Sequence, residues 1–301
     1  MTDKEKYPLV STITPVLNGE KYIAENLQSL KNQTYHNIEI IVVDNFSTDK
    51  SVEIAKAMGA VVYQKGPERA SQDNYGVQMA KGQYVFITGC DMVLDKDYIE
   101  QCVRCCEEGN YDAVYASVKS KTNNFWSKVK GLERDMYIGD DFIESARFFK
   151  RDVFLALGGF DTTLVINADD YDMQRKLNNA GYKTGRITAT ELHIDEIDSI
   201  KEVFLKSFYY GMNSWEYIKR QRGYAVKQLF PVRRAYVKNF RMLREHPVLA
   251  LGFIVFKFVQ YLSASAGLVF GMLGTKKVSA LFHRRIYKNQ SQEFPKGETK
   301  N

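Results

Sequence analysis

Over the first two hundred positions, the spacing of hydrophobic residues alternates between the period of a strand and that of a helix. Residues 8–16 are rich in β-branched side chains and read as a strand ending at Pro15, while residues 20–32 set Ile23, Leu27 and Leu30 at helical spacing. Residues 38–43 form a near-continuous apolar run, as expected of a strand buried on both faces of a parallel sheet. A turn over 44–49, a helix over 50–58, a strand over 60–63, a helix over 71–80, a strand over 84–88 and a helix over 95–108 follow. Strands alternating with helices across short loops predict a doubly wound α/β sheet flanked by helices. Ligands of such sheets bind at the carboxyl ends of the strands, which points to residues 15–18, 44–45 and 89–91.

Near residue 200 the pattern changes, which predicts a catalytic unit over 1–200 and a basic helical region over 201–301. Aromatic residues crowd a helical stretch from 199 to 222, and residues 217–244 carry nine basic side chains and no acid. Then 248–273 holds 26 residues with a single charge, Lys257, before Lys276, Lys277, Arg284, Arg285 and Lys288 restore the positive charge. The net charge of +6 therefore describes neither part: residues 1–200 hold 23 basic and 31 acidic side chains, residues 201–301 hold 19 and 5. About 20 apolar residues suffice to cross a bilayer. Against a simple span, Lys257 near the middle costs roughly 2.5–3.5 kcal/mol, and basic flanks on both sides favour the cytoplasmic face for both. Small residues from Ser263 to Gly267 offer a break between two shorter helices. An interfacial or re-entrant helical hairpin is the expected arrangement, ahead of a single span or a soluble helical subdomain. The basic side chains beside this segment suit an anionic membrane surface, at about 1 kcal/mol each close to the headgroups, better than nucleic acid.

Hydrophobic residues at 45% and charged residues at 26% exclude a disordered chain, a fibrous repeat and a small disulfide scaffold. The first residues contain no apolar stretch, so no export signal is expected and the cysteines belong to a reducing compartment. Cys102, Cys105 and Cys106 share one helical face and are expected in the core, since no second cysteine pair exists to close a zinc site. Acidic side chains are more informative. Asp44, Asp91 and the cluster Asp169-Asp170-Tyr171-Asp172 fall near expected strand ends. Each alone reads as a turn or cap residue; together they would repel one another unless a hard divalent cation, completed by phosphate oxygens, neutralised them.

Six segments in order carry a more specific likeness. They are Ser11–Glu20, Asn32–Asp49, Arg69-Ala-Ser-Gln-Asp-Asn74-Tyr-Gly, Ala80-Lys-Gly-Gln-Tyr-Val-Phe-Ile, Gly158-Gly-Phe-Asp161, and Ala168–Asp172 with Ala180-Gly-Tyr182. Over residues 8–195 the chain resembles family 2 glycosyltransferases of the GT-A fold. The resemblance implies a nucleotide-sugar donor at the strand ends, with Pro15, Asn18, Glu20, Asp44, Arg69 and Asn74 as donor-binding residues. It also implies Mg²⁺ or Mn²⁺ at Asp91 and His193, and Asp170 as general base beside Asp169. The family's Asp-x-Asp motif falls on Gly89-Cys90-Asp91, so only its last carboxylate is present. His193 on its own reads as a surface residue; at the family position it supplements the single carboxylate, and imidazole suits Mn²⁺. The implied reaction is inverting transfer to an acceptor hydroxyl, on a saccharide or lipid-linked saccharide, at the cytoplasmic side of the cell membrane. The alternative is a catalytically idle nucleotide-binding scaffold in a membrane complex. A dinucleotide-binding oxidoreductase is disfavoured, because no Gly-x-Gly-x-x-Gly follows the first strand.

Overall fold

The computed structural model describes residues 7–140, 143–164, 168–195, 197–220, 223 and 233–274. Arg222, Lys227, Lys276, Lys277, Arg284, Arg285 and Lys288, expected among the membrane-facing cations, lie outside them.

Strands β1 (Val10–Val16), β2 (Ile38–Asp44), β3 (Val61–Gln64) and β4 (Tyr84–Ile87) alternate with helices α1 (Ile23–Lys31), α2 (Ser51–Ala57) and α3 (Arg69–Met79). After these come β5 (Met92–Leu94), α4 (Tyr98–Gly109), β6 (Ala113–Ser120), α5 (Phe125–Tyr137), β7 (Phe148–Lys150), α6 (Arg151–Ala156), α7 (Ala168–Asn179) and β8 (Thr184–His193). All eight strands form one mixed sheet in the order β3-β2-β1-β4-β7-β6-β8-β5. Strands β1 to β4 pair parallel; β7 runs antiparallel between β4 and β6, and β8 pairs parallel with β6. The carboxyl ends of β1, β2, β4, β6 and β8 therefore share one edge. The order reverses between β1 and β4, and a crevice at that switch point is where open α/β sheets bind ligands.

Burial on both faces explains the apolar run of β2. Val42 joins Val10, Ile23, Leu27, Phe86, Tyr98 and Ile99 in one core layer. Its neighbours Ile41 and Val43 turn the other way, onto Ile13, Val77, Phe149 and Phe154. Cys102 and Cys106 lie buried in the first layer, Cys105 at its margin, and all four cysteines are free.

The C-terminal part contains α8 (Ile200–Arg220), α9 (Arg234–Lys238), α10 (Phe240–Glu245) and α11 (Pro247–Met272). Here the hairpin expectation is corrected: α11 is one continuous helix of 26 residues with no break at Ser263–Gly267. The small residues instead permit close packing. A Cβ on Gly267 would overlap the Phe208 carbonyl oxygen of α8, and one on Gly271 the Met212 carbonyl oxygen. Ser263 stays within the helix by donating its hydroxyl to Val259 O at 2.7 Å. A third core layer crosses the expected boundary at residue 200, joining Val129, Leu132 and Met136 of α5 to Val203 of α8 and Phe253 and Phe256 of α11. Inside it Glu133 accepts from Lys257 at 2.7 Å, Lys130 at 2.8 Å, the Tyr137 hydroxyl at 2.7 Å and the Tyr236 hydroxyl at 3.0 Å. Lys257 thus lies inside the protein, paired, rather than unpartnered in lipid. The opposite face of α11 is apolar and open: Val248, Leu251, Ile254, Phe258, Leu262 and Val269 are each more than half exposed.

Candidate active site

Two loops meet at the carboxyl edge of β1 and β2. Asn18, in left-handed backbone at φ +49°, accepts from Thr48 N at 2.8 Å, and its own N–H donates to the Ser47 hydroxyl at 2.8 Å. Glu20 accepts from Lys50 N at 3.1 Å and donates its N–H to Asp49 at 2.9 Å. Pro15 is buried in β1, opposite Val43. Asp44 is buried at the end of β2, where its carboxylate accepts from Ser47 N at 3.1 Å and Gln64 at 3.3 Å. Gln72, which the sequence did not single out, bridges both strands by donating to Val16 O at 3.1 Å and Val43 O at 2.5 Å. Asn74 binds the Phe160 main chain on both sides, donating to its O at 2.8 Å and accepting from its N at 2.9 Å. It therefore anchors the Gly158-Gly159 turn rather than presenting a free amide to the crevice.

Asp91 lies in the turn between β4 and β5. Asn26 of α1 holds that turn by donating to Gly89 O at 3.1 Å and Met92 O at 2.7 Å. The Asp91 carboxylate folds over Gly89, where a Cβ would stand 2.5 Å from Asp91 Oδ1. The position that lacks its acid thus makes room for the acid that remains. Opposite Met92 in the sheet register stands His193, with Nε2 3.3 Å from Asp91 Oδ2. Its Nδ1 donates to Asp195 O at 2.9 Å, so in the neutral ring the Nε2 lone pair faces Asp91. Burial lowers the imidazole pKa, against the opposing pull of the Asp91 carboxylate. An acceptor nitrogen facing a carboxylate is the donor set of a divalent cation. Among the described residues no group of three or more such ligands exists, so Asp91 and His193 would hold a cation completed by phosphate oxygens.

Asp169 and Asp170 occupy the first turn of α7, a correction to their expected place at a strand end. Asp170 N donates to Asp169 Oδ1 at 3.0 Å, and a helix N-terminus favours acidic charge. Arg69, the first residue of α3, reaches Asp170 at 3.7 Å and Asp73 at 3.3 Å, which draws the start of α7 to the carboxyl edge. Burial, only partly offset by Arg69, pushes Asp73 up to about 7; burial and the Asp170 charge push Asp169 up to about 6. Arg147 and Glu191, also absent from the sequence reading, lie 4.0 Å apart beside this group, and Tyr98 donates to Glu191 at 2.7 Å. A signal for Glu191 did exist, since it stands two residues before His193 and shares its face of β8.

A comparison with known families decides the identity: the Glycosyl transferase family 2 profile matches residues 11–170. The chain belongs to glycosyl transferase family 2. Glycosyltransferase GlyG of Streptococcus pneumoniae is 35% identical over 135 residues, 42% of this chain and 45% of that protein. Chondroitin synthase of Escherichia coli is 27% identical over 192 residues, 59% of this chain and 27% of that protein. The chain thus spans less than half the length of these relatives. Among solved structures, the fold is similar to mannosyltransferase PcManGT from Pyrobaculum calidifontis in complex with GDP-Man and Mn²⁺. The TM-score is 0.56 at 19% identity, over 93% of this chain and 79% of that one. TarS 1–349 of S. aureus in complex with UDP-GlcNAc gives 0.53 at 15% identity, over 94% and 88%. Both likenesses support the GT-A fold of the family.

Proposed function

We propose that the protein moves a sugar from a nucleotide-diphosphate donor to an acceptor hydroxyl with inversion at the anomeric carbon. One observation carries this reading: the Asp91–His193 pair, a candidate cation site, lies at the carboxyl edge of the sheet, and Arg69 at the start of α3 ties Asp170, a candidate proton acceptor, to that edge. Nucleotide sugars bound to PcManGT and TarS support the donor class. Pro15, Asn18, Glu20 and Asp44 line the donor side, where Asp44 meets the base and the Asn18 and Glu20 bonds hold the two loops in register. Asn74 serves the same side by fixing the Phe160 turn, and Arg69 keeps Asp170 in place.

In the proposed step Asp170 takes the proton of the acceptor hydroxyl as its oxygen forms a bond to the anomeric carbon. The bond from that carbon to the diphosphate oxygen breaks on the opposite face, and its electron pair leaves with the diphosphate. Mg²⁺ or Mn²⁺ on Asp91 and His193 would supply neutralisation of that leaving charge. Asp170→Asn is expected to lower transfer by about 10²–10⁴-fold while changing donor affinity by less than about threefold. Full turnover in this variant would remove Asp170 from the role. Absence of both transfer and donor hydrolysis in the unaltered protein, with or without Mn²⁺, would favour the idle scaffold.

We place the reaction at the cytoplasmic side of a membrane, with a lipid-linked saccharide as the acceptor class. Support comes from α11, long and apolar enough to cross a bilayer yet packed on one face against the protein. That asymmetry favours a helix lying in the interface on its open stripe. Exposed Val237 and Phe240 among Arg234, Lys238, Arg241 and Arg244 continue the surface with the charge that anionic headgroups attract.

A further inference from the structure

Arg134 projects from α5 toward the edge that holds Asp91 and His193. Its Nη1 donates to the Ser120 hydroxyl at 2.6 Å, and Ser120 stands directly opposite His193 in the β6–β8 register. The guanidinium is thus tied to the strand end beside the candidate cation site. Among the described residues no carboxylate lies within 4.0 Å of it, although Glu133 is its chain neighbour. Both Glu133 oxygens are already taken by Lys130, Lys257, Tyr137 and Tyr236. Arg134 therefore remains a half-buried cation with one neutral hydrogen bond, and burial lowers its pKa more than Glu133, Asp91 and Asp195 raise it. A guanidinium so placed has donors left over, in a planar fork suited to phosphate oxygens.

We infer that Arg134 binds the diphosphate of the donor and takes up part of the charge that develops on it as the glycosidic bond breaks. The inference rests on the glycosyltransferase reading of the site. It adds a counter-charge from the protein itself at an edge where Gly89 leaves one acid fewer to hold a metal. The chemistry recognised is two linked phosphates, not the base or the sugar.

The test is calorimetric titration of UDP, GDP, UMP and GMP, run once in EDTA and once in Mn²⁺. Arg134→Gln is expected to cut the preference for diphosphate over monophosphate by about tenfold or more in EDTA. Arg134→Lys should recover part of it, and UMP and GMP affinities should stay unchanged. Ser120→Ala, which frees the guanidinium without removing it, should lower the preference by a smaller factor and serves should Arg134→Gln fail to fold. An unchanged preference in Arg134→Gln, or in Ser120→Ala should Arg134→Gln fail to fold, overturns the role of Arg134 alone. No binding of UDP or GDP by the unaltered protein in either medium overturns the glycosyltransferase reading, and this inference with it.

Discussion

Asp73 is fully buried, its Oδ1 has no hydrogen-bond partner among the described residues, and its proton is held up to about pH 7. A free aspartate loses that proton near pH 3.9, so between about pH 4 and about pH 7 the native state binds a proton that the unfolded state has released. Folding stability should therefore fall as pH rises through that window, and Asp73→Asn should flatten the slope. Chemical denaturation at several pH values reads this directly; an equally steep slope in the variant would assign it elsewhere. Asp91, Asp170 and His193 stand out in the sequence because motif spacing fixes their neighbours. Arg134, Arg147 and Gln72 do not, because their partners lie 14, 44 and 29 to 56 residues away and only the folded chain brings them together. Asn74 shows the converse limit, since a polar side chain inside a motif can belong to the main chain behind it.

Helix α11 shows what periodicity conveys and what it leaves open. Its length and apolar character are plain in the sequence, but a run of small residues reads equally as a break or as a contact surface. The two differ only in whether a second helix lies against them, and α8 does. Gly267→Leu should cost about 1–3 kcal/mol in thermal or denaturant unfolding because the side chain must displace the α8 backbone. Ala266→Leu, one residue away on the exposed side, should be nearly neutral. Lys257→Met should cost about 3–5 kcal/mol by leaving Glu133 with a weakened set of partners, and pairing it with Glu133→Leu should recover most of the loss. Equal costs for the single and the double change would show that the ion pair is not what binds α5 to α11.

Charge at the scale of the molecule is divided rather than averaged. The first 200 residues carry −8 and the remaining 101 carry +14, so the acidic edge and the basic helices present opposite fields. Flotation with vesicles should depend on anionic lipid and weaken as salt rises, since screening shortens the reach of the basic side chains. Phe258→Asp together with Leu262→Asp should abolish flotation without lowering the unfolding temperature, because both side chains point outward. Binding that ignores lipid charge would remove the electrostatic part of this assignment. The division was legible from composition alone, whereas the core layer joining the two parts was not, because its members come from α5, α8 and α11. That layer bears on how the protein is handled in detergent. A mild surfactant need only cover the outer stripe of α11. One strong enough to enter the seam would uncover Glu133 and loosen the helix that carries Arg134, so activity lost on solubilisation would report a displaced helix as readily as a missing lipid.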